Sequence, residues 1–328
     1  MSEVIHSASD TKTVSTRLEI SVRGQWVETP AIVINGQTIV VKGDRIRLAS
    51  LHDEEWSEDE LLDPEACMSK LKQASGIPRA DILTFTQKVP NALPRYSYPM
   101  QLRSDAVADV SDFKAWWESL PQETRKNVRR SQKRGVTIQV RHFDADVIRG
   151  IADVQNESPV RQGRPYPHYG KSFEQVKRDH GAFVDRSDFI CAYFGEEFIG
   201  CLKLVYRGNI ASILQCNSKI AHYDKRPSNA LIARAAELCA ARGITHLTYG
   251  RFSYGNRGQA ALRIFKERHG FAEMLVPSYY VPLTAWGAIC VKTRLYRNPI
   301  DFIPQRWLRV ALDLRTRWYN SKTTSRPV

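Results

Sequence analysis

Ser187-Asp-Phe-Ile-Cys-Ala-Tyr-Phe194, Phe198-Ile-Gly-Cys-Leu-Lys-Leu-Val-Tyr206 and Ile210-Ala-Ser-Ile-Leu-Gln-Cys-Asn217 are three runs rich in aromatic and β-branched residues. Gly195-Glu196 and Arg207-Gly208-Asn209 stand between them as turns, so the runs read as an antiparallel meander. A basic loop follows, then a helix predicted from about 228 to 242 with Gly243 as its stop. Ile244-Thr-His-Leu-Thr-Tyr249 returns as a strand. A second helix is predicted from about 257 to 269, ending at Gly270, and Phe271 opens the last strands. A strand, crossover helix and strand must pair in parallel, and such a helix starts at the sheet edge where α/β proteins bind ligands. The order predicts an α+β fold on a mixed sheet.

Outward from this block the chain is ordinary in hydrophobicity and unusual in charge. Apolar residues make up 42% of the 328, while the net charge of +13 favours anionic partners: nucleic acid, phosphorylated cofactors or an acidic membrane surface. The six cysteines lie far apart without CxxC or Cys/His spacing. They read as buried free thiols, and no metal is expected. Residues 1–16 are polar and Ser/Thr-rich, which predicts a disordered tail and no signal peptide. With no apolar run of spanning length, the expected location is cytoplasmic, with membrane association as a variant.

Short alternating strands are predicted within 17–48, with Asn35-Gly36 as a type I′ hairpin signal. Asp63-Pro64 should cap a helix to about Lys72, and Ile82 to Gln87 reads as a strand. The proline-rich stretch 90–99 suggests a soft boundary between an N-terminal β-rich region (17–95) and a larger domain (96–285). Helices follow at 111–120 and 121–134, a strand at 137–141, and helices at 147–156 and 173–180. Residues 286–328 form a basic tail in which Trp307, Val310, Ala311, Leu314 and Trp318 recur at helical spacing. This amphipathic helix docks either on the core or on anionic lipid. The sequence shows no internal repeat.

Three groups of residues could carry chemistry. Arg125, Lys126, Arg129, Arg130, Lys133 and Arg134 cover about half of one helix, as an anion-binding face or a plainly solvated one. Lys219, His222, Lys225 and Arg226 lead into the crossover helix, whose free N–H groups suit a phosphate; Ser228 could cap them instead. The loop 156–169 gathers Glu157 and His168 as candidate bases, with Arg161 beside them. Tyr249, Arg251, Tyr254 and Asn256 follow the parallel strand and should line the same edge. None of these spacings names a reaction by itself.

Two motifs resemble a known family. Trp117-x-x-Leu120 followed by Arg125-x-x-x-Arg129-x-x-x-Lys133-x-Gly135 is similar to the basic helix of Fem-like GNAT acyltransferases. These are the branch related to peptidoglycan-bridge aminoacyltransferases. Leu262-Arg-Ile-Phe265-Lys266-Glu-Arg-His-Gly270-Phe271 looks like the FK-x-x-x-G segment of that branch. The resemblance spans roughly residues 100–285. It implies a GNAT-like fold and transfer of an acyl or aminoacyl group onto an amine or hydroxyl, with a small molecule or envelope precursor as acceptor. Lys266 and Tyr254 would lie near the reacting carbonyl, and Lys225, Arg226, Ser228 and Asn229 would hold the donor's anionic part. Arg125, Arg129, Lys133, Arg161, Tyr249, Arg251 and Asn256 would bind substrate. No tightly bound cofactor is implied; acyl-CoA or aminoacyl-tRNA would be the donor substrate. The chain departs from the CoA-binding pattern Q/R-x-x-G-x-G/A, since Asn229 and Leu231 replace its glycines and Pro227 removes an amide. That favours a tRNA or carrier-bound donor. Two other readings stay open: a nucleic-acid-binding protein on a decayed GNAT scaffold, and a membrane-surface scaffold.

Overall fold

The computed structural model describes residues 15–22, 25–54, 59–161, 163–253 and 260–296. The N-terminal strands are β1 (Ser15–Val22), β2 (Gln25–Ile34), β3 (Gln37–Lys42) and β4 (Leu48–Leu51). Asn35 and Gly36 both take positive φ, as a type I′ turn between β2 and β3 requires. Helix α1 (Pro64–Gln73) starts where the sequence places it: Asp63 Oδ1 accepts from Ala66 N at 2.9 Å, a cap worth about 1 kcal/mol. Strand β5 (Ile82–Thr86) then pairs in parallel with β4.

The larger part begins with β6 (Met100–Asp109), α2 (Phe113–Ser119), α3 (Gln122–Lys133), β7 (Val136–Arg141) and α4 (Ala145–Asn156). A two-residue-per-strand hairpin, β8 (Val160–Arg161) and β9 (Arg164–Pro165), leads to α5 (Phe173–His180). The meander is β10 (Ser187–Phe194), β11 (Glu197–Arg207) and β12 (Ile210–Ser218). Then come α6 (Pro227–Ala241), β13 (His246–Arg251), α7 (Ala260–Arg268), β14 (Ala272–Pro282) and α8 (Ala285–Thr293).

Twelve strands form one sheet in the order β1-β2-β3-β4-β5-β14-β6-β13-β12-β11-β10-β7. Two of its strands, β4 and β6, carry no clear sequence signal, and neither does the short β8–β9 hairpin within the loop 156–169. The stretch between the prolines and the next helix carries no strand pattern, yet β6 sits centrally, antiparallel to both β13 and β14. Because β14 pairs with β5 on one side and β6 on the other, the sheet runs unbroken past the 90–99 connection. The last strands are a single long β14. The two ends of the sheet also share an order of elements that the sequence does not reveal as a repeat: an antiparallel meander, a crossover helix, and a strand parallel to the meander's last.

Helices α2, α3 and α6 cover one face of the C-terminal half, where Trp116, Leu120, Val128, Leu231, Ile232 and Phe271 share a core with Leu202 and Leu204. Helices α4 and α5 cover the other face through Val147, Ile148, Ile151 and Val176 on Phe189. Helix α1 packs Cys67 and Leu71 against Leu83, Phe85 and Tyr279. The cysteines are free thiols, and all but half-buried Cys216 are buried. No described helix is long and apolar enough to cross a membrane. The tail helix proposed around 307–318 and residues 1–14 lie outside the described residues.

Helix α8 is held to the start of β5 by an unusually close approach. A Cβ on Gly287 would lie 2.0 Å from the Asp81 carbonyl oxygen, and Thr284 Oγ1 donates to Asp81 Oδ1 at 2.9 Å. Alanine normally outscores glycine in a helix by up to about 1 kcal/mol. Here the backbone clash should win, so Gly287→Ala should cost about 1–3 kcal/mol and lower Tm by several degrees in a calorimetric melt. An unchanged or raised Tm would show that α8 can lift off β5 freely.

Candidate active site

The sheet opens between β12 and β13. These strands pair over only three residues each, Ile210–Ser212 against His246–Thr248. Beyond that, β12 stays with β11 through a bulge at Leu214, while β13 turns to β6, pairing Arg251 with Asp105. The result is a wedge at the C-terminal edge, as the parallel connection predicts.

Lys266, from α7, braces one wall of this wedge. It is only 1% exposed, and its Nζ donates to the carbonyls of Tyr249 (2.5 Å) and Arg251 (2.7 Å) at the end of β13. The ammonium also lies 4.7 Å from the centre of the Tyr249 ring. Burial pulls its pKa down to about 8, against the opposing pull of Asp105. Asp105 is itself held in a two-pronged pair by Arg103, at 2.9 and 2.7 Å. Arg251 is exposed and Tyr249 half-buried. Tyr254 and Asn256 lie outside the described residues.

His269, one turn on, joins α7 to the crossover helix. Its Nδ1 must donate to the Phe265 carbonyl at 2.7 Å, which leaves Nε2 to accept from Asn229 Nδ2 at 3.0 Å. Burial pushes its pKa down to about 4. Gly270 then takes φ +79°, and a Cβ there would lie 2.9 Å from Trp116 Nε1 and 3.2 Å from Leu120 Cδ2. The two motifs, far apart in sequence, therefore meet in space, through Trp116 rather than Trp117. Trp117 instead lies under the Arg129 guanidinium at 5.7 Å.

The mouth of α6 carries the four residues expected to hold a donor. Arg226 is exposed and left-handed at φ 58°, Pro227 occupies the first turn, and no side chain caps the helix. Ser228 Oγ bonds Ser218 Oγ at 2.7 Å, which ties the helix start to the end of β12. Lys225 Nζ sits 4.8 Å over the Phe194 ring and 3.4 Å from Asp224. Asn229 is committed to His269. Arg134 at the end of α3 reaches Asp224 at 3.3 Å, so the basic helix abuts this loop. Arg125 is half-buried with an unpartnered Nε, whereas Arg129 and Lys133 are exposed.

The loop candidates are engaged with the protein itself. Glu157 accepts from the backbone amides of Ile220 (2.6 Å) and Ala221 (2.9 Å), at the start of the 3-10 turn Ile220–Lys225. Arg161 lies 3.5 Å from that carboxylate, donates to the Ser218 carbonyl at 2.9 Å, and stacks on Tyr166 at 4.5 Å. Together they fasten α4 to the loop before α6. His168 Nδ1 is 3.1 Å from Lys171 Nζ, and burial and that ammonium lower its pKa. Sequence reasoning missed His269, Asn229's partner, and Asp105; an FK-x-x-x-G reading that stops at the lysine passes over the histidine inside it. It also missed Lys203, buried beneath α5, where Nζ donates to the His180 (2.8 Å) and Ala182 carbonyls and its pKa falls to about 8.

No family model and no curated protein matches the chain. Solved structures do match. FemX aligns with a TM-score of 0.56 at 11% identity, covering 81% of this chain and 88% of that one. A C-terminal domain assigned to a lysylphosphatidylglycerol synthetase from Agrobacterium fabrum aligns at 0.53 and 13%, covering 78% and 84%. A protein of unknown function from Bacteroides thetaiotaomicron aligns at 0.51 and 11%, covering 77% and 86%. The likeness is one of fold: the chain shares its fold with FemX and with the lysylphosphatidylglycerol synthetase domain.

His269 and His180 both stay neutral in the native state to about pH 4, because burial disfavours the charged ring. The unfolded chain takes up those protons near pH 6.5. Acidification across that window therefore removes stability, on the order of 3 kcal/mol for each buried ring. His269→Gln, which keeps one donor and one acceptor, should flatten the fall in urea-unfolding free energy between pH 6.5 and 4. An equally steep fall in the variant would show that the ring is not buried neutral.

Proposed function

We propose that this chain is an acyltransferase that moves an aminoacyl group from a tRNA ester to an amine or hydroxyl of an envelope precursor. The observation that carries the reading is the wedge between β12 and β13, braced at its end by the buried Lys266 ammonium. Direct attack on an ester carbonyl needs a slot that positions it and positive charge near the developing oxyanion. Lys266 is mostly protonated at neutral pH with a pKa of about 8, and it supplies that charge while shaping the carbonyl-lined end of β13. The acceptor nitrogen or oxygen bonds the carbonyl carbon and loses its proton; the ribose hydroxyl leaves and gains one.

The surroundings favour a long polyanion over a CoA pyrophosphate. Pro227 removes an amide donor from the helix mouth, and Asn229's side chain is held by His269. The exposed Arg129 and Lys133 of α3 extend the positive surface beyond the wedge. The similarity of fold to FemX and to a lysylphosphatidylglycerol synthetase domain supports an envelope acceptor. Glu157 and Arg161 are assigned a positioning role, since their polar atoms secure the loop below α6. His168, with Nδ1 beside the Lys171 ammonium and its ring against Tyr166, stays a candidate base.

Calorimetry with an aminoacyl-tRNA pool and with acetyl-CoA tests the donor. Micromolar binding to the tRNA should weaken steeply with salt, and Arg129→Glu/Lys133→Glu should weaken it about tenfold or more. Lys266→Met should leave tRNA affinity within about twofold but cut transfer of labelled amino acid into an envelope-precursor extract at least about 100-fold. Binding of acetyl-CoA alone, lost in Arg226→Ala, would overturn the donor. Undiminished transfer in Lys266→Met would overturn the role of the lysine.

A further inference from the structure

Helix α8 leaves its apolar face uncovered. Trp286 is 45% exposed, Ile289 51% and Leu295, just past the helix, 54%. Gly287 and Cys290 are the buried residues of the helix, on the arc next to Trp286, so α8 is seated on β5 through them while Trp286 and Ile289 stay outside that contact. A soluble surface spends few large side chains this way, and three clustered on so short a segment mark a contact. The surface around them is cationic. Lys292 and Arg294 lie on the same segment and are exposed. Arg45 and Arg47 come from the loop beneath it: Trp286 Nε1 donates to the Arg45 carbonyl at 3.0 Å, and Arg47 N donates to Asp81 Oδ2 at 2.9 Å. That second Asp81 oxygen, like the first, is already taken, and none of the four cations forms an ion pair among the described residues. Asp44 is the nearby exposed carboxylate.

We propose that this face docks on an anionic lipid bilayer, with Trp286, Ile289 and Leu295 entering the interface and Lys292, Arg294, Arg45 and Arg47 meeting headgroup charge. Indole at the polar–apolar boundary, aliphatic side chains beside it and a cationic rim are what such a surface selects. A protein partner would match the apolar patch but gives no reason for the unpaired cations. The topology adds an orientation. Strands β13 and β14 are both antiparallel to β6, so they run parallel to one another and end at one edge of the sheet. β14 continues from Met274, level with Arg251, to Pro282, and α8 follows. The docking helix thus stands at the edge where the wedge opens. The surface itself does not depend on what the wedge transfers.

Cosedimentation of the full chain with phosphatidylcholine vesicles, with and without phosphatidylglycerol, at low and high salt, tests this. The protein should partition to the anionic vesicles, and high salt should weaken it. Trp286→Ser/Ile289→Ser should reduce the partition about tenfold or more; so should Lys292→Glu/Arg294→Glu, whose exposed positions leave the melting temperature unchanged. Trp286→Ser/Ile289→Ser leaves every charge in place, so its tRNA binding should match the unmodified chain. Equal partition of both variants and wild type would place the contact elsewhere, for instance in residues 297–328, and overturn the proposal. So would no partition of the wild type. A dimer in light scattering that Trp286→Ser/Ile289→Ser dissociates, without vesicle binding, would assign the face to a second copy instead.

Discussion

Everything near the site depends on how briefly β12 and β13 stay paired. Parallel strands joined by a crossover helix usually remain side by side, yet here the ladder lasts only from Ile210–Ser212 to His246–Thr248. The last rung is reinforced by a buried side-chain bond, Ser212 Oγ to Thr248 Oγ1 at 2.8 Å. Beyond it, β12 keeps β11 and β13 keeps β6. The bulge at Leu214 supplies the bend. A strand end that has left its neighbour exposes backbone carbonyls, and buried carbonyls need donors. Lys266 meets that need for Tyr249 and Arg251. One lysine therefore completes the fold there and leaves a buried cation beside the opening.

The cost of that cation explains its surroundings. A buried ammonium is disfavoured by desolvation, which is why its pKa falls to about 8. Two carbonyl acceptors, the Tyr249 ring and the field of Asp105 offset the penalty in part. Asp105 in turn is paired with the Arg103 guanidinium. The same device appears under α5, where Lys203 donates to the His180 and Ala182 carbonyls. Lys203 ties the backbone after α5 to β11, and Lys266 ties α7 to the end of β13; β11 and β13 are the two neighbours of β12 in the sheet.

The sequence made most of this legible where a local rule governs. Alternation, turn glycines and helix caps gave the meander, the crossover helix, α1 and the Asn35-Gly36 hairpin nearly to the residue. Strand β6 is hidden because Met100-Gln-Leu-Arg-Ser-Asp places polar residues where a central strand is expected to be apolar; Ser104 and Asp105 meet the open end of β13, and Ser104 also bonds Glu273, whereas Met100 to Arg103 pair with β14. Strand β4 was hidden by its length. Lys266 stands out in the sequence through its motif, while His269 does not, because nothing local says that Asn229 will face it. Glu157 and Arg161 looked like free functional groups, and only the fold shows them tied to Ile220, Ala221 and the Ser218 carbonyl. Spacing reports secondary structure; it does not report which distant partner consumes a side chain.

The N-terminal half shows why the opening lies where it does. It repeats the arrangement, with β4 parallel to β5 over Leu48–Ser50 and Ile82–Thr84. But β4 ends at Leu51, one residue past its last rung, whereas β12 runs to Ser218, well past Ser212. The edge of β5 that β4 abandons is then filled. Gln87 N turns towards β14 and bonds the Pro277 carbonyl, so Thr86 N and Lys88 N point the other way. Each finds a carboxylate: Glu54 accepts from Thr86 N at 2.5 Å and Glu60 from Lys88 N at 2.6 Å. Lys88 Nζ closes the remaining gap on the Glu54 carbonyl at 2.6 Å. The same topology is closed in one half by Glu54, Glu60 and the buried Lys88, whereas in the other half the described strands part beside the buried Lys266. The difference between the halves therefore follows from whether side chains fill the edge that the shorter ladder leaves.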